Sequence, residues 1–383
     1  MERMGRRGIE MHARDQCRGQ LQALIEPADV RINGDRDWDL QVHDERTYAR
    51  VLAQGSLGLG ESYLDGWWDA GSLDGCLYHL LDAHIEEQVH SLRDVVGGVR
   101  AWLTNQQDQR HSFEVGRRHY DLGNDLYEAM LGKHMIYSCG YWRDAADLDA
   151  AQEAKLDLVF RKLGVEPGMR VLDIGCGWGT ALKFAVERYG VSGVGVTVSK
   201  EQAEFARELR AGLPIEIRLQ DYRDVDESFD RAFSIGMFEH VGVKNYRTYF
   251  EVARRCLTED GIFLLHTIGG NKSRHMTDPF ISKYIFPNSM LPSAAQIAHA
   301  SEGLFVMEDW HGFGTDYDRT LKAWRANVEA AWDFLPSQYD ERFRRMWRYY
   351  LAASMAGFRA RRIQLWQLVL SPRGVRGGYI APR

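Results

Sequence analysis

The sequence predicts an α/β protein: an open, Rossmann-like parallel sheet with helices on both faces, preceded by a smaller N-terminal domain. Three observations lead there. From Arg170 onward, short apolar runs alternate with helical patterns. The first of these runs ends at Asp173 and passes into Gly175, Gly177 and Gly179, spaced G-x-G-x-G. The chain, at 383 residues, is also long enough for two domains.

Residues 1–28 are polar and mixed, and predict a short helix or a frayed tail. A compact region follows to about residue 95. Within it, the leucines and aromatics of Gly55–Trp68 predict core and turn, although the tandem Trp67 and Trp68 could also contact lipid. Leu77, Leu80, Leu81 and Ile85 recur at helical spacing and predict one or two helices between Asp74 and Arg100. The predicted division is therefore an N-terminal domain over 1–99, a polar linker over 100–119 and a catalytic domain over 120–383. Arg110, Arg117 and Arg118 make the linker basic, which suits anionic headgroups or plain solvation.

In the larger domain, Ala150–Leu163 reads as a helix broken at Gly164 and Pro167. Strand and helix patterns then alternate over 170–174, 181–189, 193–198, 200–211, 215–218, 230–235, 245–257 and 261–267. Pro279–Pro292 reads as a loop-rich insertion, Val306–Trp310 as the start of another strand, and 318–368 as helical and aromatic. From Arg342 the chain carries ten arginines and no Asp, Glu or Lys, interleaved with Trp347, Tyr349, Tyr350, Phe358 and Trp366. A cationic amphipathic surface helix of that kind suits anionic lipid. The competing expectation, of equal weight, pairs the arginines with acids elsewhere in the chain.

Composition narrows the class. A hydrophobic share of 45% with 27% charged residues is ordinary for a soluble globular protein. The net charge of −6 argues against a nucleic-acid partner. Cys17, Cys76, Cys139, Cys176 and Cys256 are widely spread without a C-x-x-C pair, so neither a metal site nor a disulfide framework is implied and a reduced cytosol is expected. The N-terminus lacks a secretory pattern, and no run approaches the ~20 apolar residues that span a bilayer. Action on lipid would take place from the membrane surface.

Glycines at the strand-to-helix turn let the backbone adopt conformations closed to other residues and let a ligand approach closely. A dinucleotide site wants G-x-G-x-x-G and an acid about 20 residues later. Here the spacing differs, and the next strand leads into Thr197 and Ser199 rather than an acid. The run Arg170–Thr180 instead resembles the first motif of the S-adenosylmethionine (AdoMet)-dependent methyltransferases. Downstream, Asp221 could accept the exocyclic amine of adenine, with Tyr222 stacking or packing nearby. Upstream, Tyr137, Ser138 and Cys139 stand where a segment could close over a cofactor. Glu239 and His240 follow the fourth strand and His266 lies on the next, so adjacent strands bring titratable groups to the functional, carboxyl edge.

Longer segments carry a closer resemblance. Gly55–Trp68, His119–Asp125, Tyr137–Cys139, Val171–Gly179, Gln220–Asp224, Gly236–Gly242, Gly261–Gly269, Tyr284–Asn288, Met307–Trp310 and Phe358–Gln367 resemble the bacterial cyclopropane-fatty-acyl-phospholipid synthases, from Arg31 to Gln367. The resemblance implies a class I AdoMet-dependent methyltransferase domain with an N-terminal lipid-binding domain, the latter as in the phospholipid-modifying branch. It implies cofactor contacts from Tyr137, Ser138, Asp173, Gly175, Cys176, Gly177, Trp178, Gly179, Thr197, Ser199, Gln202, Asp221 and Tyr222. It also implies a bicarbonate ion held by Cys139, Glu239, His266, the backbone of Ile268, and Tyr317. The implied reaction moves the AdoMet methyl onto a cis double bond in a membrane phospholipid, and the resulting carbocation loses a proton as a cyclopropane closes. A homodimer on the inner face of the cytoplasmic membrane, without nucleic acid, is the implied setting. Where some relatives carry a cysteine, this chain has Ser354, a poor nucleophile without a partner base. It stays outside the catalytic set. Other exits remain open at this stage: a methyl-branched or methylene product, a membrane-surface binding protein with a degenerate fold, or a nucleic-acid methyltransferase.

Overall fold

The computed structural model describes residues 2–87, 124–210, 212–274 and 276–383. The expected linker, with Arg110, Arg117 and Arg118, lies outside the described residues. Helices α1 (Glu2–Ile25), α2 (Arg46–Leu64) and α3 (Leu73–Asp82) accompany the short strands β1 (Gln41–Val42) and β2 (Trp68–Asp69). After α4 (Asn124–Leu131) and α5 (Leu148–Leu163), alternation begins with β3 (Arg170–Ile174), α6 (Thr180–Tyr189), β4 (Ser192–Thr197) and α7 (Lys200–Leu209). It continues through β5 (Ile215–Leu219), β6 (Phe229–Ile235), α8 (Tyr246–Arg255) and β7 (Leu257–Gly270). The remaining elements are α9 (Pro279–Tyr284), α10 (Ala294–Ser301), β8 (Val306–Gly312), α11 (Thr315–Ala331), α12 (Glu341–Arg359) and β9 (Ile363–Ser371).

These elements form two compact units, each assembled from separate stretches of chain. Among the described residues, one comprises 2–87, 276–286 and 334–362; the other comprises 124–210, 212–274, 287–333 and 363–383. The sequence-based division followed chain order and so kept 276–286 and 334–362 with their neighbours in sequence.

In the first unit α12 packs against α2 and α3. Its face of Trp347, Tyr349, Tyr350, Met355 and Phe358 is buried with Tyr63, Trp68, Cys76 and Leu77. The arginines follow the pairing expectation. Arg342 meets Asp65 at 3.0 Å, Arg359 meets Asp74 at 3.0 Å and Arg362 meets Glu87 at 2.5 Å. Arg345 donates to Asp69, at 2.8 Å, and to the carbonyls of Tyr63 and Trp68, while its guanidinium stacks 4.0 Å from the Tyr63 ring centroid. The aromatic stripe is therefore core rather than a lipid-facing surface, a correction to the amphipathic reading. Trp68 is fully buried, with its indole N–H on the Leu59 carbonyl, so it too belongs to the core.

The second unit is built on a seven-stranded sheet of order β5-β4-β3-β6-β7-β9-β8. The strands from β5 to β7 pair in parallel, as the alternation predicts. β9 runs antiparallel between β7 and β8. That strand corrects the helical expectation for 318–368. Its sequence Ile-Gln-Leu-Trp-Gln-Leu-Val-Leu-Ser is a short apolar run buried on both faces, which periodicity alone cannot assign. A second correction falls at Pro279–Pro292, where α9 replaces part of the expected loop. Asp278 caps it by accepting from Phe280 N at 2.9 Å and Ile281 N at 3.1 Å, and Pro279 occupies the first turn. Among the described residues no helix is long and apolar enough to cross a membrane.

Candidate active site

β3 ends in Asp173, and the chain turns through Gly175, Gly177 and Gly179 into α6. Gly175 N and Cys176 N both donate to the Val196 carbonyl at 3.0 Å, tying the turn to β4. Gly175 has φ +90°, and a Cβ there would stand 2.6 Å from Met237 Cγ. Only glycine fits that backbone in that space. Beside it, Ser199 caps α7 by accepting from Gln202 N at 3.3 Å, and Thr197 Oγ1 accepts from Ser199 N at 3.2 Å. Asp221 begins the turn after β5, where Arg223 grips its carboxylate through Nε and Nη2 at 2.8 Å each.

Tyr137, Ser138, Asp173, Gly175, Cys176, Gly177, Trp178, Thr197, Ser199, Gln202, Asp221 and Tyr222 line one cavity at the carboxyl ends of β3, β4, β5 and β6. That edge is where open α/β sheets bind their ligands. Gly179 is not in the lining; it precedes α6 at φ +82° and packs toward Ala206. Gly236, Met237 and His240 also line the cavity, His240 at the strand edge where the sequence placed it, and so does Lys155, which escaped the sequence reading. For Lys155 a signal existed. It recurs with Lys162 seven residues apart on the same buried stripe of α5, where exposed lysines would not be placed.

The acid/base residues form two groups. Ile235 pairs with His266, and Gly236 N donates to the His266 carbonyl at 2.9 Å. The chain then turns so that Glu239 Oε1 accepts from Ile268 N at 2.7 Å. Glu239, His266 and Ile268 are thus brought together by the β6–β7 register. Glu239 Oε2 and His266 Nε2 are buried and, among the described residues, without a hydrogen-bond partner. The other group centres on α11. Thr320 Oγ1 accepts from Gly140 N at 3.1 Å and from Trp142 Nε1 at 2.8 Å, and lies 3.8 Å from Cys139 Sγ. Tyr317, on the same helix, is buried, with its ring centroid 5.9 Å from that of Trp324. Phe313 connects the groups: its ring centroid is 5.8 Å from His266, and its carbonyl accepts from Asp316 N at the start of α11.

Burial sets the charge states. It lifts the Cys139 thiol well above its usual value, so this residue remains a neutral thiol. His266 is held well below its usual value by burial and by the fields of Lys155 and Lys162, and is neutral. Gln367 Nε2 donates to its Nδ1 at 3.2 Å, which leaves the ring proton on Nε2 as a donor. Burial raises the Glu239 carboxyl to about 7, against the lowering effect of its bond from Ile268. Asp173 is raised well above the carboxylate range by burial, partly offset by Lys155.

The Glu239 shift has a consequence for stability. Between about 4.5 and about 7, the folded protein retains a proton that the unfolded chain has released. Stability therefore falls as pH rises through that window. At 1.36 kcal/mol per unit the cost is on the order of 3 kcal/mol above it. In bicarbonate-free buffer Glu239→Gln is expected to melt above the parent protein at pH 8 and level with it at pH 4.5, as calorimetry would show. A variant less stable at pH 8, or an offset independent of pH, would contradict this assignment.

The chain is similar to known proteins in both sequence and fold. Residues 107–368 match the family model described as mycolic acid cyclopropane synthetase. The chain is 53% identical over 356 residues to the cyclopropane-fatty-acyl-phospholipid synthase of Escherichia coli (strain K12), covering 93% of each chain. It is 35% identical over 361 residues to the tuberculostearic acid methyltransferase UfaA1 of Mycobacterium tuberculosis, covering 88% of this chain and 83% of the other. A crystal structure of the mycolic acid cyclopropane synthase CmaA1 complexed with SAH and CTAB superposes with a TM-score of 0.62 at 35% identity, over 67% of this chain and 97% of that one.

Proposed function

The chain belongs to the mycolic acid cyclopropane synthetase family, and from that premise we propose that it is an AdoMet-dependent enzyme converting cis double bonds of membrane phospholipid acyl chains to cyclopropanes. The observation that carries this reading is the juxtaposition of an AdoMet-type cavity with the buried Glu239–His266 pair on the next strand edge. Methyl transfer alone needs no acid/base pair there. Ring closure does, because the carbocation left after addition must lose a proton.

The chain's own groups fit a small anion at that edge. His266 Nε2 offers a buried donor, and Glu239 Oε2 a position that accepts a hydrogen bond when ionised and donates one when protonated. A bicarbonate ion held there, with Cys139, Tyr317 and the Ile268 backbone completing its surroundings, supplies the base for ring closure. Glu239 Oε1 is occupied by Ile268 N, so the carboxyl group cannot rotate freely and Oε2 keeps one orientation. Cys139, a neutral thiol whose S–H donates to the Gly140 carbonyl at 3.1 Å, borders the ion and is no nucleophile. Tyr137 brings an aromatic face, which stabilises an adjacent cation where water is excluded. Its ring centroid lies 5.2 Å from that of Trp324 and 5.4 Å from that of Tyr127, which fix its position.

The protein works as a homodimer on the inner face of the cytoplasmic membrane, with 1–99 as the lipid-binding domain; the family resemblance supports this setting. The similarity to a tuberculostearic acid methyltransferase supports one alternative, a methyl-branched product from the same carbocation. Both are tested by incubating the purified protein with AdoMet and vesicles of unsaturated phospholipid. A mass gain of CH2 per modified chain with upfield ring-proton signals is expected. A gain of CH2 with an exocyclic methylene signal and no ring protons, rising to CH4 when a hydride donor such as a reduced nicotinamide is added, would favour the branched product. AdoMet binding without any lipid product would overturn the phospholipid reading.

A further inference from the structure

A buried lysine stands at one pole of the cavity. Lys155, on α5, is fully buried, and its Nζ donates to Ser138 Oγ at 3.0 Å. Gln152, three residues earlier on the same buried stripe, donates from Nε2 to the Ser138 carbonyl at 2.8 Å. Tyr141 N donates to the Ala151 carbonyl at 2.8 Å. α5 therefore fixes Ser138 through both its backbone and its hydroxyl. Asp173 shares this pole; burial lowers the Lys155 ammonium to about 7 and raises Asp173 well above the carboxylate range, each shift partly offset by the other group's charge. Removing an ammonium group from water costs several kcal/mol unless it is compensated. Packing alone would be served by leucine or methionine.

The hydrogen bond has a direction. In its protonated form Lys155 only donates, so Ser138 Oγ accepts from it and keeps its own hydrogen to donate. Ser138 lines the cavity, and that hydrogen is available to a ligand. A donating hydroxyl backed by the protonated lysine, beside the acid Asp173, suits a zwitterionic amino acid, whose carboxylate favours the protonated lysine and whose ammonium group favours the ionised acid. AdoMet carries such a group opposite its adenosine. Its sulfonium centre must face the edge bearing Glu239 and His266. Its adenosine then falls among Thr197, Gln202 and Asp221, which leaves the pole of Ser138, Lys155 and Asp173 for the amino-acid end. We propose that Lys155 is a positioning residue that reads the carboxylate of AdoMet through Ser138. The inference rests on the cavity being the AdoMet site.

The test compares binding of AdoMet and decarboxylated AdoMet to the purified full chain by calorimetry. The parent protein is expected to prefer AdoMet by about 10–100-fold, as for one charge-assisted hydrogen bond. Lys155→Met should reduce that preference to within about threefold while leaving affinity for decarboxylated AdoMet within about threefold of the parent. Lys155→Arg should restore part of the preference. Ser138→Ala should lose it as Lys155→Met does, with little further loss in the double variant. A lysine with a purely structural role would weaken both ligands alike; that result, or an unchanged preference in Lys155→Met, overturns the proposal. Should Lys155→Met fail to fold, Ser138→Ala decides: an unchanged preference there also overturns it. A parent protein that binds both ligands equally refutes the carboxylate readout while preserving the cofactor site. One that binds neither refutes the cofactor site itself.

Discussion

Glu239→Gln is expected to lower turnover on unsaturated phospholipid by about 10²–10⁴-fold, the range for losing a positioned acid/base group. Affinity for AdoMet should change by less than about threefold, because Glu239 is absent from the cavity lining. The substitution is almost isosteric and can keep the bond from Ile268 N, since an amide oxygen accepts there as a carboxylate does. What changes is Oε2. A carboxyl group poised near pH 7 can donate or accept at that atom, whereas an amide nitrogen only donates. Steady-state kinetics at saturating AdoMet would measure the loss, and a bicarbonate titration would locate it. Turnover within about threefold of the parent would remove Glu239 from the mechanism.

The second large effect is expected at the glycine turn. Gly175→Ala places a side chain at φ +90° and pushes its Cβ to 2.6 Å from Met237 Cγ and 2.7 Å from Met237 Cβ. Left-handed backbone costs an L-residue about 1–2 kcal/mol, and overpacking adds about 1–3 kcal/mol. The turn can relieve the clash only by moving, which takes the Gly175 and Cys176 N–H groups off the Val196 carbonyl. Stability should fall by about 2–5 kcal/mol and AdoMet should bind at least about tenfold more weakly. Gly177→Ala is the comparison, since a Cβ at φ +51° there meets nothing within 4 Å. It should cost only the backbone part, about 1–2 kcal/mol. Equal losses at the two positions, read from denaturant melts, would show that Met237 yields without resistance.

Local chemistry made the cavity half of the candidate site legible in the sequence. The strand ending at Asp173, the glycines after it and the cap at Ser199 are each dictated by residues close together in the chain. The Glu239–His266 edge was legible for a related reason, since parallel strands with successive crossovers deliver their ends to one side. Pairings over long sequence distances were not. Nothing within Ile363–Ser371 says that it will enter between β7 and β8. Nothing within Arg342–Arg362 names Asp65, Asp69, Asp74 and Glu87 as counter-ions. The same charge pattern suits a lipid surface until its partners are known. Lys155 left only a partial trace: its spacing from Lys162 sets it on the buried stripe of α5, but nothing within the helix says which part of that stripe faces a ligand.

The position of β9 also governs how the protein can be made. A ribosome releases the chain from its N-terminus, so β7 is complete long before Ile363–Ser371 emerges and must wait with one edge unpaired. β8 waits too, because β9 is its neighbour in the sheet. The first unit faces the same delay, since α2 and α3 lack α12 until residue 359 is synthesised. Unpaired edges template association with other chains, and the edge of β7 stays open from Gly270 until Ile363–Ser371 has been made. A premature stop or a protease cut before β9 would not trim a tail; it would remove an interior strand and leave the elements on either side without the partner they were built around.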